Sequence, residues 1–248
     1  METEIIEQLK DDAQYYGEFG KQFLSNSDIY ALLNNPEEFG VSKGANINLL
    51  KGSYLHHLVL EPEKAKDYMF VDASTRSTKV YKAALESEGE DILLLYSEKE
   101  SIENLVTKIK GNFDFCADIY DDRNQYEIPA VGEIFGHMWK GKADIITADK
   151  VIDIKTTSRI GPNGKDFKRS AKTYNYDSQA YIYNQLFGKP VEFYVVEKET
   201  GRLCTADCDD EFLEGGRQKV IEAIKIYEKF FGDNPSEDIT QYIERITL

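Results

Sequence analysis

Gly141 to Lys155, GKADIITADKVIDIK, holds two short apolar runs that each carry an aspartate, and the second run ends in lysine. Val151-Ile152-Asp153-Ile154-Lys155 alternates with a period of two, which puts Asp153 and Lys155 on one face of a strand and Ile152 and Ile154 on the other. A turn at Asp149-Lys150, or at Ala148 to Val151, makes the two runs a β-hairpin. Asp144 then lies opposite Lys155 and Ile146 opposite Asp153, so that all three charged groups share a face. Diagonal cross-strand neighbours stand about 7–8 Å apart, and two carboxylates leaning together from there can hold one divalent ion at about 2.0–2.2 Å per oxygen.

A metal flanked by an ammonium suits phosphodiester hydrolysis. The ion lowers the pKa of a bound water and neutralises phosphate charge, while the lysine positions the water or offsets developing negative charge. On its own, an Asp-x-Lys triplet more often marks an amphipathic surface hairpin with its charges in water. Its neighbours change that balance. Asp144, Asp153 and Lys155, with Gly52-x-x-x-His56 upstream and Gln179-x-x-x-Tyr183 downstream, resemble in order and spacing the nucleases of the PD-(D/E)xK superfamily, and most of all its RecB-like and RecE-like (exonuclease VIII) branch. The run GSYLHHLVLEPEKAKDYMF from Gly52 to Phe70 is similar to the opening of RecE-like phage and prophage exonuclease domains. The resemblance covers roughly residues 25 to 200.

The resemblance implies an α/β fold, a restriction-endonuclease-like mixed β-sheet core flanked by helices. It implies a Mg²⁺- or Mn²⁺-dependent DNA exonuclease that degrades linear duplex ends in phage-type recombination or end processing and leaves a strand for a single-strand annealing protein. Related enzymes often form homo-oligomeric rings. In this reading His56, Asp144 and Asp153 hold the metal, the Ile154 carbonyl supplies a further ligand, Lys155 assists the attacking water, and Gln179 and Tyr183 sit beside the lysine and the DNA backbone. Glu133 matches the glutamate of the preceding strand, where it would contact a second metal or a metal-bound water; a solvent-facing strand glutamate fits the same residue. A single-strand-specific nuclease of the same fold and a non-catalytic DNA-binding module are the alternatives.

The residues themselves say less. Leu49, Gly52, His56 and Val59 fall on one face of a helix predicted from Ala45 to Leu60; Gly52 costs about 1 kcal/mol there relative to alanine, but a small residue one turn before His56 allows close approach to a sheet or a ligand. His57 lies about 100° round the same helix. Gln179 and Tyr183 share a face of a helix predicted from Tyr174 to Phe187. A helix from Ser25 ends at Asn35-Pro36, another runs from Ser97 to Lys110, and Val191 to Glu197 alternates as a strand.

A net charge of −15 opposes a nucleic-acid function, because phosphate binding rests on Lys and Arg. The distribution counters the sum: Lys155, Arg159, Lys165, Lys168, Arg169 and Lys172 face a single acidic residue, Asp166, in the stretch after the proposed site. The last five are candidate DNA contacts. Three cysteines without a CxxC pair exclude a disulfide framework or a four-thiolate cluster. The acidic N-terminus has no apolar run of signal-peptide length, and Ile92 to Tyr96 is too short to span a bilayer. The expectation is a cytoplasmic protein with one domain over residues 25–248 behind a polar helix or arm at 1–24.

Overall fold

The computed structural model describes residues 2–41 and 44–243. Two short helices, α1 (Glu2–Leu9) and α2 (Asp12–Tyr16), open the chain, and α3 (Asn26–Asn34) follows. Asp28 accepts hydrogen bonds from both the hydroxyl and the backbone N–H of Ser25, which closes a capping box at the start of α3. That helix stops before Pro36, which bars helical geometry at Asn35, and Pro36–Glu38 makes one 3₁₀ turn. Asn46 caps α4 (Ile47–Leu60) by accepting from the N–H groups of Asn48 and Leu49, and Pro62 ends it. The buried face of α4 is Tyr54, Leu55 and Val59; Leu49 is exposed and Gly52 faces open space, so the sheet does not approach closely at that glycine.

A small subassembly comes next. Strand β1 (Phe70–Val71) runs parallel to β2 (Leu94–Leu95), with α5 (Lys79–Glu88) between them. α6 (Tyr96–Gly111) and α7 (Phe113–Ile119) follow, and Ile102, Leu105, Val106 and Ile109 form the buried stripe of α6.

The central sheet has the order β3-β4-β5-β6-β7. Its strands are β3 (Gln125–Ile134), β4 (His137–Ile146), β5 (Val151–Thr157), β6 (Val191–Glu197) and β7 (Leu203–Asp207), and only the β5/β6 pair is parallel. A parallel pair needs a crossover. Here it is α8 (Lys165–Thr173) and α9 (Tyr176–Phe187), before α10 (Asp210–Phe230) closes the fold. One face of the sheet packs Val151, Phe193 and Val195 against residues of α3, α9 and α10. The other packs Ile152, Ile154, Tyr194 and Val196 against α4, α6 and α7. Among the described residues no helix is long and apolar enough to cross a membrane.

The β4/β5 ladder is short. Only Ile145↔Ile152 and Ile146↔Val151 pair, around a turn at Thr147 to Lys150. The expected register, with Ile146 opposite Asp153 and Asp144 opposite Lys155, is therefore off by two residues, because the turn takes four residues that begin at Thr147. Above Ile145 the strands part. The edge that β4 leaves open is taken by Leu24, whose N–H donates to Met138 O and whose carbonyl accepts from Lys140 N. Residues 2–24, expected as a polar helix or arm, carry α1 and α2 and are built into the fold, with Leu9 and Tyr15 buried against Val131 of β3.

Gly141 fixes the spacing between β4 and α9. A Cβ there would lie 2.9 Å from Tyr183 Cε1, and Tyr183 cannot retreat freely because its hydroxyl donates to Lys142 O at 2.7 Å. Gly141→Ala is expected to destabilise the fold by about 1–3 kcal/mol through overpacking, read as a lower urea midpoint at unchanged m-value. An unchanged midpoint would show that this contact is slack.

Candidate metal centre

Where β4 and β5 part, the peptide of Ile154 faces a gap with no strand to pair it. A buried peptide left that way would cost free energy comparable to its lost hydrogen bonds. Two side chains fill the role: Ile154 N donates to Asp144 Oδ2 at 2.7 Å, and Ile154 O lies 2.8 Å from His56 Nε2. The Asp144 carboxylate thus reaches across the gap between the strands instead of standing on one face beside Asp153 and Lys155. Its strand turns over at that point. Trp139 and Ala143 lie in one core and Ile145 in the other, although strict alternation would keep all three together.

The partner strand is irregular at the same level. Tyr126 pairs with Ile145 and Ile128 with Ala143, which sets Glu127 opposite Asp144, and Glu127 has φ 51°. A non-glycine residue in the left-handed region costs free energy and marks a place where other interactions over-determine the backbone. The kink aims the Glu127 carboxylate at the same gap. One ligand atom from each of His56, Glu127 and Asp144 lies within 4.8 Å of the others.

Asp153 and Lys155 stand next to this group on the α9 side. Asp153, almost fully buried, accepts from Gln179 Nε2 at 2.7 Å through Oδ2. Its Oδ1 lies 2.6 Å from Lys155 Nζ as an ion pair, but makes no well-directed hydrogen bond. The Lys155 ammonium sits 4.7 Å from the centre of the Tyr176 ring. Burial alone would lower the pKa of this lysine; the adjacent Asp153 charge, helped by Asp144, more than offsets that and raises it.

The carboxyls carry the opposite strain. Burial, then the Asp144 and Glu61 charges, pushes Glu127 up to about 8 against the pull of Lys142. Burial lifts Asp144 to about 6, with Asp153 adding to it while His56, Lys155 and the Ile154 N–H oppose. His56 gives an independent sign. Its Nε2 lies 2.8 Å from Ile154 O and its Nδ1 3.4 Å from Asp144 Oδ2, so the imidazole and the carboxylate face the same gap. Imidazole plus hard carboxylate oxygens is a donor set for Mg²⁺ or Mn²⁺, and crowded carboxylates relieved by positive charge fit such an ion.

Several residues singled out in the sequence lie elsewhere or are otherwise engaged. Glu133 is exposed, opposite Met138 at the far end of the β3/β4 hairpin, and is not brought to the gap. The Ile154 carbonyl, expected as a ligand, is engaged by His56. The Tyr183 hydroxyl donates to the backbone of β4 at Lys142 O, while Asp153 and Asp144 are near enough for their charges to act on it. Asp153 is outside the three-residue ligand group. Arg159, Lys165, Lys168, Arg169 and Lys172 are all exposed; the four on α8 sit at i, i+3, i+4 and i+7, one stripe opposite the buried Phe167 and Ala171. Arg159 is paired with Asp166 at 3.2 Å.

Glu127 was missed by the sequence reading, and a signal for it exists. Phe135 and Gly136, with φ of 51° and 80°, form the two-residue turn of the β3/β4 hairpin. Counting back from that turn puts Glu127, and not Glu133, across from Asp144.

Residues 22–235 match the model of a family described as a PDDEXK-like domain of unknown function (DUF3799). Among solved structures the chain is similar to a candidate exonuclease from Eubacterium rectale, at 19% identity and a TM-score of 0.64, over 88% of this chain and 85% of that one. A phage-related exonuclease from Haemophilus somnus 129PT aligns at 15% identity over 71% of this chain and 92% of that one, with a TM-score of 0.34 that carries no argument. No curated protein matches the chain. The five-stranded mixed sheet flanked by helices is a restriction-endonuclease-like core.

The raised carboxyls set a pH dependence. In the unfolded chain both groups titrate near 4, whereas the native ones titrate at about 6 and about 8. The native state therefore binds more protons between these limits, and stability falls as pH rises through them. The metal-free protein is expected to lose melting temperature between pH 5 and 8.5, Glu127→Gln to flatten that slope, and added Mn²⁺ to restore stability at pH 8. A melting temperature independent of pH over this range and unmoved by Mn²⁺ would contradict the electrostatics described.

Proposed function

The chain belongs to the PDDEXK-like domain family (DUF3799), and on that premise we propose that it is a nuclease that needs Mg²⁺ or Mn²⁺ and hydrolyses phosphodiester bonds of linear DNA. The observation that carries this reading is the parting of β4 and β5. It gathers His56, Glu127 and Asp144 around one gap, with the Asp153–Lys155 ion pair at its side.

His56, Glu127 and Asp144 would hold the ion, with Asp153 next in line. The ion supplies Lewis acidity and charge for a phosphate and a water. Lys155 keeps its proton, being raised by Asp153, and so acts as a donor that orients the attacking water or offsets charge on the phosphate. Gln179, by donating to Asp153, fixes the carboxylate that in turn fixes the lysine. The exposed basic stripe of α8, carried on the crossover that leads out of β5, offers Lys165, Lys168, Arg169 and Lys172 to the DNA backbone, and Arg159 stands just before it.

Action from DNA ends, in recombination or end processing, is the finer part of the proposal. It rests on the likeness of the Gly52 to Phe70 run to RecE-like exonucleases, and the name of the Eubacterium rectale neighbour agrees with it. The product would be a single strand suited to an annealing protein.

Lys155→Ala and Asp144→Asn are each expected to lower the rate on an end-labelled linear duplex by about 10²–10³-fold while far-UV circular dichroism stays native. EDTA should abolish the wild-type reaction, and a closed circular duplex should resist it. Cleavage at the wild-type rate by either variant would refute the assignment; cleavage of circular DNA would refute the end requirement, and loss of duplex but not single-strand cleavage would favour a single-strand-specific enzyme.

A further inference from the structure

Two lysines flank the proposed metal centre and share one carboxylate. Lys142 lies on β4 two residues before Asp144, and Lys64 follows the C-terminus of α4, the helix that carries His56. Asp12 of α2 joins them: its Oδ1 accepts from Lys142 Nζ, and its Oδ2 accepts from Lys64 Nζ at 2.7 Å. Lys64 also pairs with Glu61 at 2.9 Å. Asp12, Glu61 and Lys142 are near enough to Glu127 for their charges to act on its carboxyl.

We propose that Lys64 and Lys142 form a phosphate subsite for the DNA strand, held closed in the free protein by the Asp12 carboxylate. The proposal rests on the nuclease reading. Two features favour it over a structural ion pair. First, the pair is lopsided: the Lys142 side chain is 8% exposed and the Asp12 side chain 42%. Lys142 is enclosed by the rings of Tyr15 and Tyr16, their centres 4.7 and 5.7 Å from its nitrogen. A buried ammonium must keep an anionic partner, and here the anion is the member free to leave. Second, Asp12 lies before residue 22, where the match to the family model starts. The lysines belong to the matched domain, and their partner is supplied by the segment that precedes it.

The exchange conserves charge pairing. A carboxylate that gives one oxygen to each of two ammoniums presents to them what two non-bridging oxygens of a phosphate would present. A strand phosphate entering beside the metal centre takes both donors, and Asp12 moves out to water. Glu61 stays with Lys64, so Lys142 makes the stronger of the two phosphate contacts.

Steady-state cleavage of a linear duplex by the full-length protein tests this, with 5′-phosphate and 5′-hydroxyl ends compared. Asp12→Asn is expected to lower KM roughly tenfold, the worth of one charge-assisted hydrogen bond, with kcat unchanged. Lys64→Met, at a half-exposed position, is expected to raise KM. A gain confined to 5′-phosphate ends assigns the subsite to the terminal phosphomonoester, and an equal gain on both assigns it to an internal phosphodiester. An Asp12→Asn protein whose KM is unchanged or higher, with wild-type cleavage intact, overturns the subsite and leaves the nuclease reading standing. If the wild type cleaves nothing with Mg²⁺ or Mn²⁺, the nuclease reading fails. Duplex binding in Ca²⁺, followed by fluorescence anisotropy, still decides the subsite: tighter binding by Asp12→Asn supports it and equal binding overturns it.

Discussion

The peptide of Ile154 is the point on which the site depends. A central strand ordinarily has its N–H and C=O groups taken by neighbours on both sides. β5 has β6 along its whole length but meets β4 at only two pairs. What replaces the missing ladder is a pair of side chains: a carboxylate on the Ile154 N–H and an imidazole on its carbonyl. The same parting that opens a gap for an ion supplies the reason that two of its candidate ligands are held still. It also frees the edge of β4 that Leu24 then covers, so the N-terminal segment is a consequence of the split and not an appendage to it.

The electrostatics follow a single logic. Glu127, Asp144 and Asp153 crowd into low-dielectric surroundings, with Lys155 paired to Asp153 and the Lys142 charge acting on Glu127. Burial of that much negative charge is costly, and the cost appears as raised pKa values at Glu127 and Asp144. Around this centre the charge pattern reverses. The chain carries a net −15, yet the crossover after β5 turns a basic stripe to solvent.

Much of this was legible in the chain. The alternation of VIDIK put Asp153 and Lys155 on one face, and their spacing from Asp144, His56 and Gln179 pointed to the PD-(D/E)xK superfamily and hence to the mixed sheet. Local signals also placed α3, α6 and β6 to within a few residues, because caps, prolines and strict alternation act over short range. What escaped was register and strain. The turn between β4 and β5 starts at Thr147, whose hydroxyl and N–H bind the loop through Lys150 O, and nothing in the hydrophobic pattern separates that turn from one two residues later. Glu127 escaped for a related reason. Its positive φ is imposed by the neighbouring strand and the ligand gap, so no propensity of glutamate announces it.

His56 stands 98 residues before the carbonyl it holds. Loop closure on that scale is not favoured by local structure, and its entropic cost is met only once α4 has docked against β5 and the helices of its own layer. The carboxylates of the two hairpins can meet through short connections, but the imidazole arrives with the tertiary fold. A nascent or nicked chain that lacks either partner holds an incomplete set of the donors that the folded molecule gathers at this gap.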